Sequence, residues 1–238
     1  MANILVVGKD LPESESLLKS FELQGHKIFA TANSDISIDN DNIFTFSWNK
    51  ASSISAKTLL IQAEAKLVQL DRVLIIFDSP SYAKKFESDK IEDCTQAIEN
   101  MISGYMYFCH TLLGRLTQKT KKVSVGFYLR SAPSKADIIS AKAITQAPCT
   151  NNVSVAQAAF KAMAENFCAS LSELPEVSVF LVTSEPGNDL YASDRDTGVW
   201  FLNYFDALEK LKNKPSGKQA LTWIKAGGKM PGGFGLFK

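Results

Sequence analysis

The residues of this sequence that most readily bind metal ions are its four cysteines and two histidines, and they are scattered along the chain. No two cysteines form a CxxC pair, and His26 and His110 are not clustered with them. Because structural zinc sites need several such ligands at short, regular spacings, we expect no metal site. Two of the cysteines fall in apolar helical stretches, which predicts buried free thiols. The four cysteines are Cys94, Cys109, Cys149 and Cys168.

Charged side chains are almost evenly balanced, since 26 Lys and Arg stand against 25 Asp and Glu and give a formal net charge of +1. This balance gives no electrostatic reason to expect nucleic acid or an anionic membrane as a partner. The apolar run that follows Met1 is too short for a signal peptide and is closed by Lys9 and Asp10. No stretch approaches the length of a membrane span. We therefore expect a cytoplasmic protein.

Short apolar runs alternate with amphipathic stretches along the whole chain. Continuous apolar runs predict buried strands, and apolar residues at every third or fourth position predict helices. The predicted strands are Ile4–Val7 closed by Gly8, Lys27–Ala30, Ile43–Phe46, Val73–Phe77, Val123–Leu129, Val177–Val182 and a short Leu221–Ile224. The predicted helices are Ser14–Leu23, Ile54–Leu70, Ile91–Leu116, Val155–Leu171 and Val199–Leu211.

This alternation predicts an α/β fold. Six or seven buried strands separated by helices favour a doubly wound parallel sheet (Rossmann-like) with helices on both faces, forming a single three-layer domain. We expect the domain to cover residues 1–226 and a Gly-rich C-terminal tail to cover residues 227–238. In sheets of this kind, ligands bind in the crevice at the carboxyl ends of the strands.

Several segments resemble the short-chain dehydrogenase/reductase (SDR) family in their order and spacing, over essentially the whole chain. They resemble the family's first βαβ unit, the end of its second strand, its long helix and the end of its sixth strand. The matching segments are Gly8 with Gly25-His26, Phe29–Asn33, Ala156–Met163, and Val182 with Pro186-Gly187. By position alone, the resemblance assigns cofactor contacts to Gly8, Asn33, Asp78, Pro186 and Gly187.

The family's glycine-rich cofactor loop is altered here. That loop, TGxxxGxG, brings backbone N–H groups and a helix N-terminus to the cofactor pyrophosphate. Gly8 stands at its first glycine, but Pro12 and Ser14 occupy the other two positions. Proline has no N–H to donate, and Glu13 and Glu15 add negative charge where a diphosphate would lie. The same residues make a good helix start, which explains them without a ligand.

The family's catalytic residues are replaced as well. Its general acid is a tyrosine, and a lysine four residues later lowers the tyrosine's pKa. The helix alignment puts Val153 and Gln157 at these positions, where valine has no proton to transfer and a neutral amide cannot favour phenolate. The active-site serine corresponds to Ser131. The family's helix asparagine corresponds to Met101 or, one residue off, to Asn100, and its NNAG turn to the segment 77–80.

A second alignment register remains open. The segment Ser140-Ala141-Lys142-Ala143 resembles the opening of the family's helix and would make Lys142 its lysine. Ile138 would then stand at the tyrosine position, so this register also lacks the proton donor. Tyr128 and Lys142 could converge in space, but lone tyrosines and lysines usually serve core packing or the surface.

These replacements favour a non-catalytic relative of the family, a pseudoenzyme without a cofactor that serves assembly, regulation or ligand sensing. The alternative is an NAD(P)-dependent oxidoreductase with non-standard site residues. In either case the resemblance implies a homodimer or homotetramer formed through the two long helices. The apolar stretch 105–108 and the small residues Ala158, Ala159 and Ala162 suit such packing. The Gly-rich tail could dock onto a partner subunit or over the pocket mouth.

Overall fold

A computed structural model describes residues 1–33, 36, 38, 40–140, 147–211 and 220–232. The strands are β1 (Asn3–Leu11), β2 (Lys27–Ala32), β3 (Ile43–Ser47), β4 (Arg72–Asp78), β5 (Val123–Arg130), β6 (Val177–Ser184) and β7 (Trp223–Lys225). These seven parallel strands form one sheet in the order β3-β2-β1-β4-β5-β6-β7. The predicted α/β fold with a doubly wound parallel sheet is confirmed, and all seven predicted strands are present.

Helices cover both faces of this sheet and enclose two hydrophobic cores. The helices are α1 (Glu15–Glu22), α2 (Ser53–Leu67), α3 (Ser79–Lys85), α4 (Cys94–Ile98), α5 (Gly104–Leu116), α6 (Lys135–Ser140), α7 (Asn151–Ser172) and α8 (Asp194–Glu209). One core lies under α2, α5 and α7, and the other lies under α1 and α8. The strand order reverses between β1 and β4, and such a reversal is where open α/β sheets place their ligands.

The start of the chain departs from prediction in one respect. Gly8 does not close β1, because the strand continues to Leu11, which pairs with Ala32 of β2. The backbone N–H of Asn33 donates to the carbonyl oxygen of Leu11 at 3.0 Å and extends this pairing by one residue. Helix α1 therefore begins only at Glu15.

The predicted helix Ile91–Leu116 is divided into different helical types. A 3₁₀ turn at Ile91–Asp93 leads into α4, and a π-helical segment at Glu99–Ser103 leads into α5. Gly104 follows that segment, and a Cβ there would lie 2.6 Å from the Cβ of Lys50. This is a close approach that periodicity alone does not reveal.

The other end of the chain also departs from prediction. Helix α8 begins five residues earlier than predicted, at Asp194, because the Ser193 hydroxyl accepts a hydrogen bond from the N–H of Asp196 at 3.2 Å and caps the helix. The start of the Gly-rich tail packs on α8, where Trp200 Nε1 donates to the carbonyl oxygen of Gly228 at 3.4 Å. Residues 233–238 of the tail lie outside the described part of the chain.

The thiols are free, and Cys109, Cys149 and Cys168 are buried, which confirms the prediction for Cys109 and Cys168. Within the described residues, no group of three or more His, Cys, Asp or Glu side chains is placed to hold a metal ion. None of the helices described has the length and apolar character needed to cross a membrane.

Candidate functional site

Four charged side chains converge at the carboxyl ends of β1, β4 and β5. Lys9 Nζ lies 2.8 Å from Asp78 Oδ2 and 2.6 Å from Asp194 Oδ2, at the start of α8. Arg130 Nη1 lies 3.1 Å from the same Asp78 oxygen and 3.8 Å from Asp194 Oδ1. Only 5% of the Lys9 side chain and 1% of the Asp78 side chain are exposed. We call these four residues the charge cluster.

The sheet topology explains why the charge cluster forms. Strands β1, β4 and β5 are neighbours, so their last residues meet at one edge. Asp78 and Arg130 are directly paired across β4 and β5. Burial opposes ionisation of Asp78, but the positive charges of Lys9 and Arg130 outweigh it, so the pKa of this carboxyl lies below its usual value. With two basic and two acidic side chains, the charge cluster carries no formal net charge.

The charge cluster also fastens the loop between β6 and α8. Tyr191 of this loop donates its hydroxyl to the carbonyl oxygen of Ser131 at 2.9 Å. The guanidinium of Arg130 lies over the Tyr191 ring, 4.8 Å from its centroid, at a distance where cations and aromatic faces attract. Asp194 adds its ion pair with Lys9 from the first turn of α8. This loop is thus attached to the ends of β1 and β5.

A second buried ion pair lies on the β3 side of the charge cluster. Lys50 Nζ donates to Asp10 Oδ2 at 2.7 Å and to the Tyr82 hydroxyl at 3.1 Å, and that hydroxyl lies 3.0 Å from the hydroxyl of Tyr105. Only 6% of the Lys50 side chain is exposed, and its ammonium also lies 5.3 Å from the Trp48 ring centroid. Burial opposes the charge on Lys50, but Tyr82 and Asp10 outweigh it and raise its pKa. We call Asp10, Lys50, Tyr82 and Tyr105 the Lys50 cluster.

Gly8 is explained by contacts within the chain. Its φ is +102°, and a Cβ there would clash with the carbonyl oxygen of Ile76 and lie 2.6 Å from the Tyr105 hydroxyl. That hydroxyl donates to the Ile76 carbonyl at 2.8 Å. Glycine is therefore required at this position for Tyr105 to pack, whether or not a ligand approaches the backbone.

Gln157 joins two strand ends. Its Oε1 accepts a hydrogen bond from the Ser79 hydroxyl at 2.7 Å and from the backbone N–H of Ala132 at 3.0 Å. Ser79 is fully buried and directly follows Asp78 of the charge cluster. Val153, one turn earlier on α7, is fully buried in the hydrophobic core. In the sequence, Gln157 stood out only because it replaces the family's lysine. In the structure, its hydrogen bonds link the ends of β4 and β5.

The other predicted catalytic positions are separated from one another. Ser131 follows β5, and its hydroxyl donates to the carbonyl oxygen of Ser184 at 3.2 Å. Tyr128 packs against Phe201 in the core under α1 and α8. Met101 is buried in the opposite core. Lys142 lies outside the described residues, so its convergence with Tyr128 stays a prediction.

Asn100, the alternative to Met101, lies in the π-helical segment. Its Nδ2 donates to the carbonyl oxygen of Gln96 at 2.8 Å, and its Oδ1 accepts from Lys85 Nζ at 3.3 Å. Asn33 is exposed just beyond the end of β2. Both side chains are therefore available to solvent rather than to the charge cluster.

Two cavities border the loop that follows β6. A cavity of about 700 Å³ is bordered by Ser131, Gln157, Lys161, Pro186 and Trp223, and we call it the Gln157 cavity. A second cavity, of about 500 Å³, lies on the other side of the Glu185-Pro186 turn and is bordered by Gly187, Asp189 and Lys225. Of the residues assigned by resemblance, Ser131, Pro186 and Gly187 thus lie beside cavities, whereas Gly8 and Asp78 are packed against side chains of the chain itself.

Comparison of the sequence with known proteins gives a distant relative. No family model matches the sequence. A protein of uncharacterised function from Treponema pallidum (strain Nichols) is 23% identical over 195 residues, which are 79% of this chain and 80% of that protein.

Solved structures of dehydrogenases are similar in fold. A short chain dehydrogenase from Mycobacterium smegmatis has a TM-score of 0.63 at 10% identity, covering 94% of this chain and 91% of the other. Serine dehydrogenase from Escherichia coli has a TM-score of 0.61 at 15% identity, covering 93% and 95% of the two chains. The chain therefore has the fold of short-chain dehydrogenases, while identities this low establish nothing about its activity.

Proposed function

We propose that this chain is a non-catalytic protein built on the short-chain dehydrogenase fold, serving assembly, regulation or ligand sensing. The observation that carries the proposal is the charge cluster. It lies at the carboxyl ends of β1, β4 and β5, beside the reversal in strand order where open α/β sheets bind dinucleotides. In this protein, buried side chains of the chain itself occupy that position.

The electrostatics of the site argue against a dinucleotide. A diphosphate needs free backbone N–H groups or unpaired positive charge. The two clusters together contain three cations and three carboxylates, each cation paired at 3.1 Å or less, so no charge is left to neutralise a phosphate. Leu11 continues β1 where the family's loop would turn, and Pro12 has no N–H. These residues do not fit the family's cofactor, and we derive no step through it.

The residues at the family's catalytic positions on α7 also argue against catalysis. Val153 is apolar and fully buried, and Gln157 is neutral and already accepts two hydrogen bonds. Proton donation to a substrate carbonyl needs a titratable group within hydrogen-bond reach. The buried hydroxyls of Tyr82 and Tyr105 hydrogen-bond each other, and burial raises the pKa of both, so neither is prepared to transfer a proton at neutral pH.

One observation favours the alternative, an NAD(P)-dependent oxidoreductase with non-standard site residues. Ser131, the counterpart of the family's active-site serine, and Pro186 both border the Gln157 cavity, which is large enough for a substrate. A cofactor could enter this protein only if the charge cluster opened, because Lys9 and Asp78 are almost completely buried.

We further propose a homodimer or homotetramer that uses α5 and α7. Met106 and Tyr107 of α5 are exposed at 42% and 37%, and Val155 of α7 at 63%. Val155, Ala158 and Ala162 recur at helical spacing, so they share one face of α7, and all three are exposed. Burying this face against a second copy would remove apolar surface from water.

Titration with NADH and NADPH tests the proposed function. We expect no change in nicotinamide fluorescence up to about 1 mM of either dinucleotide. A titration to this concentration detects any complex whose binding free energy is more favourable than about −4 kcal/mol. A nicotinamide-dependent dehydrogenase measured in parallel verifies the signal. Saturable binding in the micromolar range would overturn the proposal and favour the oxidoreductase.

A further inference from the structure

The side of the Gln157 cavity that faces the charge cluster is closed by a hydrogen-bond network within the chain. The backbone N–H of Ala132 can only donate, so the Gln157 atom 3.0 Å from it must be the carbonyl oxygen Oε1. The Ser79 hydroxyl donates to the same oxygen. The amide nitrogen Nε2 is therefore the part of the side chain that remains to donate into the cavity, which Gln157 borders.

The chemistry of this cavity suits hydroxyl groups. Among the residues described, its border carries the Gln157 amide and the hydroxyls of Ser131, Ser134, Ser140, Ser154 and Thr183. Because the Ser131 hydroxyl donates to the carbonyl oxygen of Ser184, its oxygen is left to accept from a ligand. Both donors and acceptors are thus available, as a hydroxyl group requires.

The charges along the border disfavour anionic ligands. Asp137 and Glu185 stand against Lys161, so the described border carries one excess negative charge, which opposes an anion. Asp137 Oδ2 already accepts from the N–H and the hydroxyl of Ser134, at 2.8 and 2.7 Å. Gln157 and Lys161 supply donors, which suit the oxygen atoms of hydroxyl groups.

Trp223 supplies an apolar wall. Its indole Nε1 donates to Glu165 Oε1 at 2.7 Å, which holds the ring in place and leaves no polar atom of the ring to pair. Together with Pro186 on the border, such a surface packs against the C–H groups of a ligand whose hydroxyls point elsewhere.

From these observations we infer that the Gln157 cavity binds a small polyhydroxylated ligand of the sugar or polyol class that carries no negative charge, and that it binds this ligand without a dinucleotide. The inference rests on the proposed function, since it takes the charge cluster to be closed. The network of Ser79, Gln157 and Ala132 then forms the inner wall of the site.

Two six-carbon probes that differ mainly in charge test the inference: sorbitol and gluconate. Each is titrated into the full chain, with saturation-transfer NMR as the readout, first without and then with NAD⁺. We expect sorbitol to bind at low millimolar concentration without NAD⁺, and the anionic gluconate to bind at least about tenfold more weakly. Absence of binding by both, or equal or tighter binding of gluconate, would overturn the inference.

Two substitutions locate the site. Gln157→Glu keeps oxygens that accept from Ser79 and Ala132 but removes the donor, and Ser154→Phe fills the cavity without removing any of these hydrogen bonds. Each should weaken sorbitol binding about tenfold or more, the loss expected for one good hydrogen bond to a ligand. Gln118→Glu, the same change on an exposed residue, should leave binding unchanged. Sorbitol binding unaffected by both cavity variants would contradict the placement.

The NAD⁺ titration separates this inference from the proposed function. Binding of sorbitol only after NAD⁺ is added would overturn both, because it would require a cofactor site. If NAD⁺ and both probes fail to bind, only the inference about the cavity is overturned, and the proposed function stands.

Discussion

Asp78 and Arg130 lie side by side at the carboxyl ends of neighbouring strands, with Arg130 Nη1 3.1 Å from Asp78 Oδ2. The same carboxyl oxygen lies 2.8 Å from Lys9 Nζ. One buried carboxylate therefore holds two cations from two different strands. Without it, Asp194 alone would face both positive charges in a region with little water, so Asp78 is the residue on which the charge cluster depends.

Asp78→Asn is expected to lower the free energy of unfolding by about 3–5 kcal/mol, because removing one partner of a buried ion pair leaves the other charges uncompensated. Urea unfolding followed by circular dichroism at pH 7 measures this loss. Asp41→Asn, the same change at an exposed residue, should alter stability by less than about 0.5 kcal/mol. Similar losses in the two variants would mean that the charge cluster contributes nothing to stability.

The contribution of Asp78 should also depend on pH. Burial works against ionisation of Asp78, yet Lys9 and Arg130 hold its pKa in the folded protein below the usual value. A lowered folded pKa means that the stabilisation is complete above the pKa of the unfolded chain, about 3.9, and is lost as the pH falls through the folded pKa.

We therefore expect the difference in stability between the wild type and Asp78→Asn to be constant from neutral pH to about pH 5 and to shrink in stronger acid. Urea unfolding of both proteins across this range measures the difference directly. The contributions of the other carboxylates, which both proteins share, cancel in this difference. A difference that grows as the pH falls would contradict the assigned ion pairs.

Gly8→Ala should be far more damaging than an ordinary glycine substitution. The added Cβ would clash with the Ile76 carbonyl and the Tyr105 hydroxyl, and the residue has a φ of +102°. We expect a loss of about 3 kcal/mol or more, or failure to fold. Gly25→Ala is the matched control, because Gly25 also has a positive φ, +78°, but has no atom within 4 Å of the added Cβ.

The control should lose only about 1 kcal/mol, the cost of the backbone conformation alone. Thermal unfolding of both variants measures the comparison. Equal losses of stability at the two positions would show that Tyr105 does not restrict Gly8. The glycine would then again be explained by a ligand that approaches the backbone.

The fold was predictable because its strands are continuous apolar runs. Val73–Phe77 and Val177–Val182 are each recognisable without any tertiary information, and both strands are slightly longer in the structure. Helix α3 was missed because it is short and has Pro80 as its second residue, although Asp78 caps it by accepting from the N–H of Ser81. Short helices of this kind depend on one cap and carry little periodicity.

The candidate site was predictable only as a set of altered positions. Lys9 and Asp10 follow an apolar run and have the composition of a solvated strand end, yet both belong to buried ion pairs. Lys9 pairs with Asp194, which is 185 positions away in the sequence, and no local pattern links two such residues. The sequence thus indicated that a cofactor loop is altered, but not that buried charges lie in its place.

Val68 has an unusual backbone conformation that can be tested directly. It ends α2 with a φ of +65°, which a β-branched residue rarely adopts, and it is 87% exposed. Val68→Gly should raise the free energy of unfolding by about 0.5–1 kcal/mol, because relief of backbone strain outweighs the greater freedom of glycine in the unfolded chain. Leu23→Gly serves as control, since Leu23 is also exposed at a helix end but has a φ of −58°. It should destabilise the protein, and a gain in both variants would rule out relief of strain as the cause.

The proposed assembly through α5 and α7 predicts a molecular mass above that of one chain, 26.1 kDa. Val155→Lys places a charge on the exposed face of α7 and should shift the mass measured by light scattering to that of the monomer, because burying an unpaired charge in an interface is costly. Ile61→Lys, on the exposed side of α2, is the matched control and should leave the assembly intact. A wild-type protein that is strictly monomeric at micromolar concentration, or assembly that survives Val155→Lys, would contradict the use of this face.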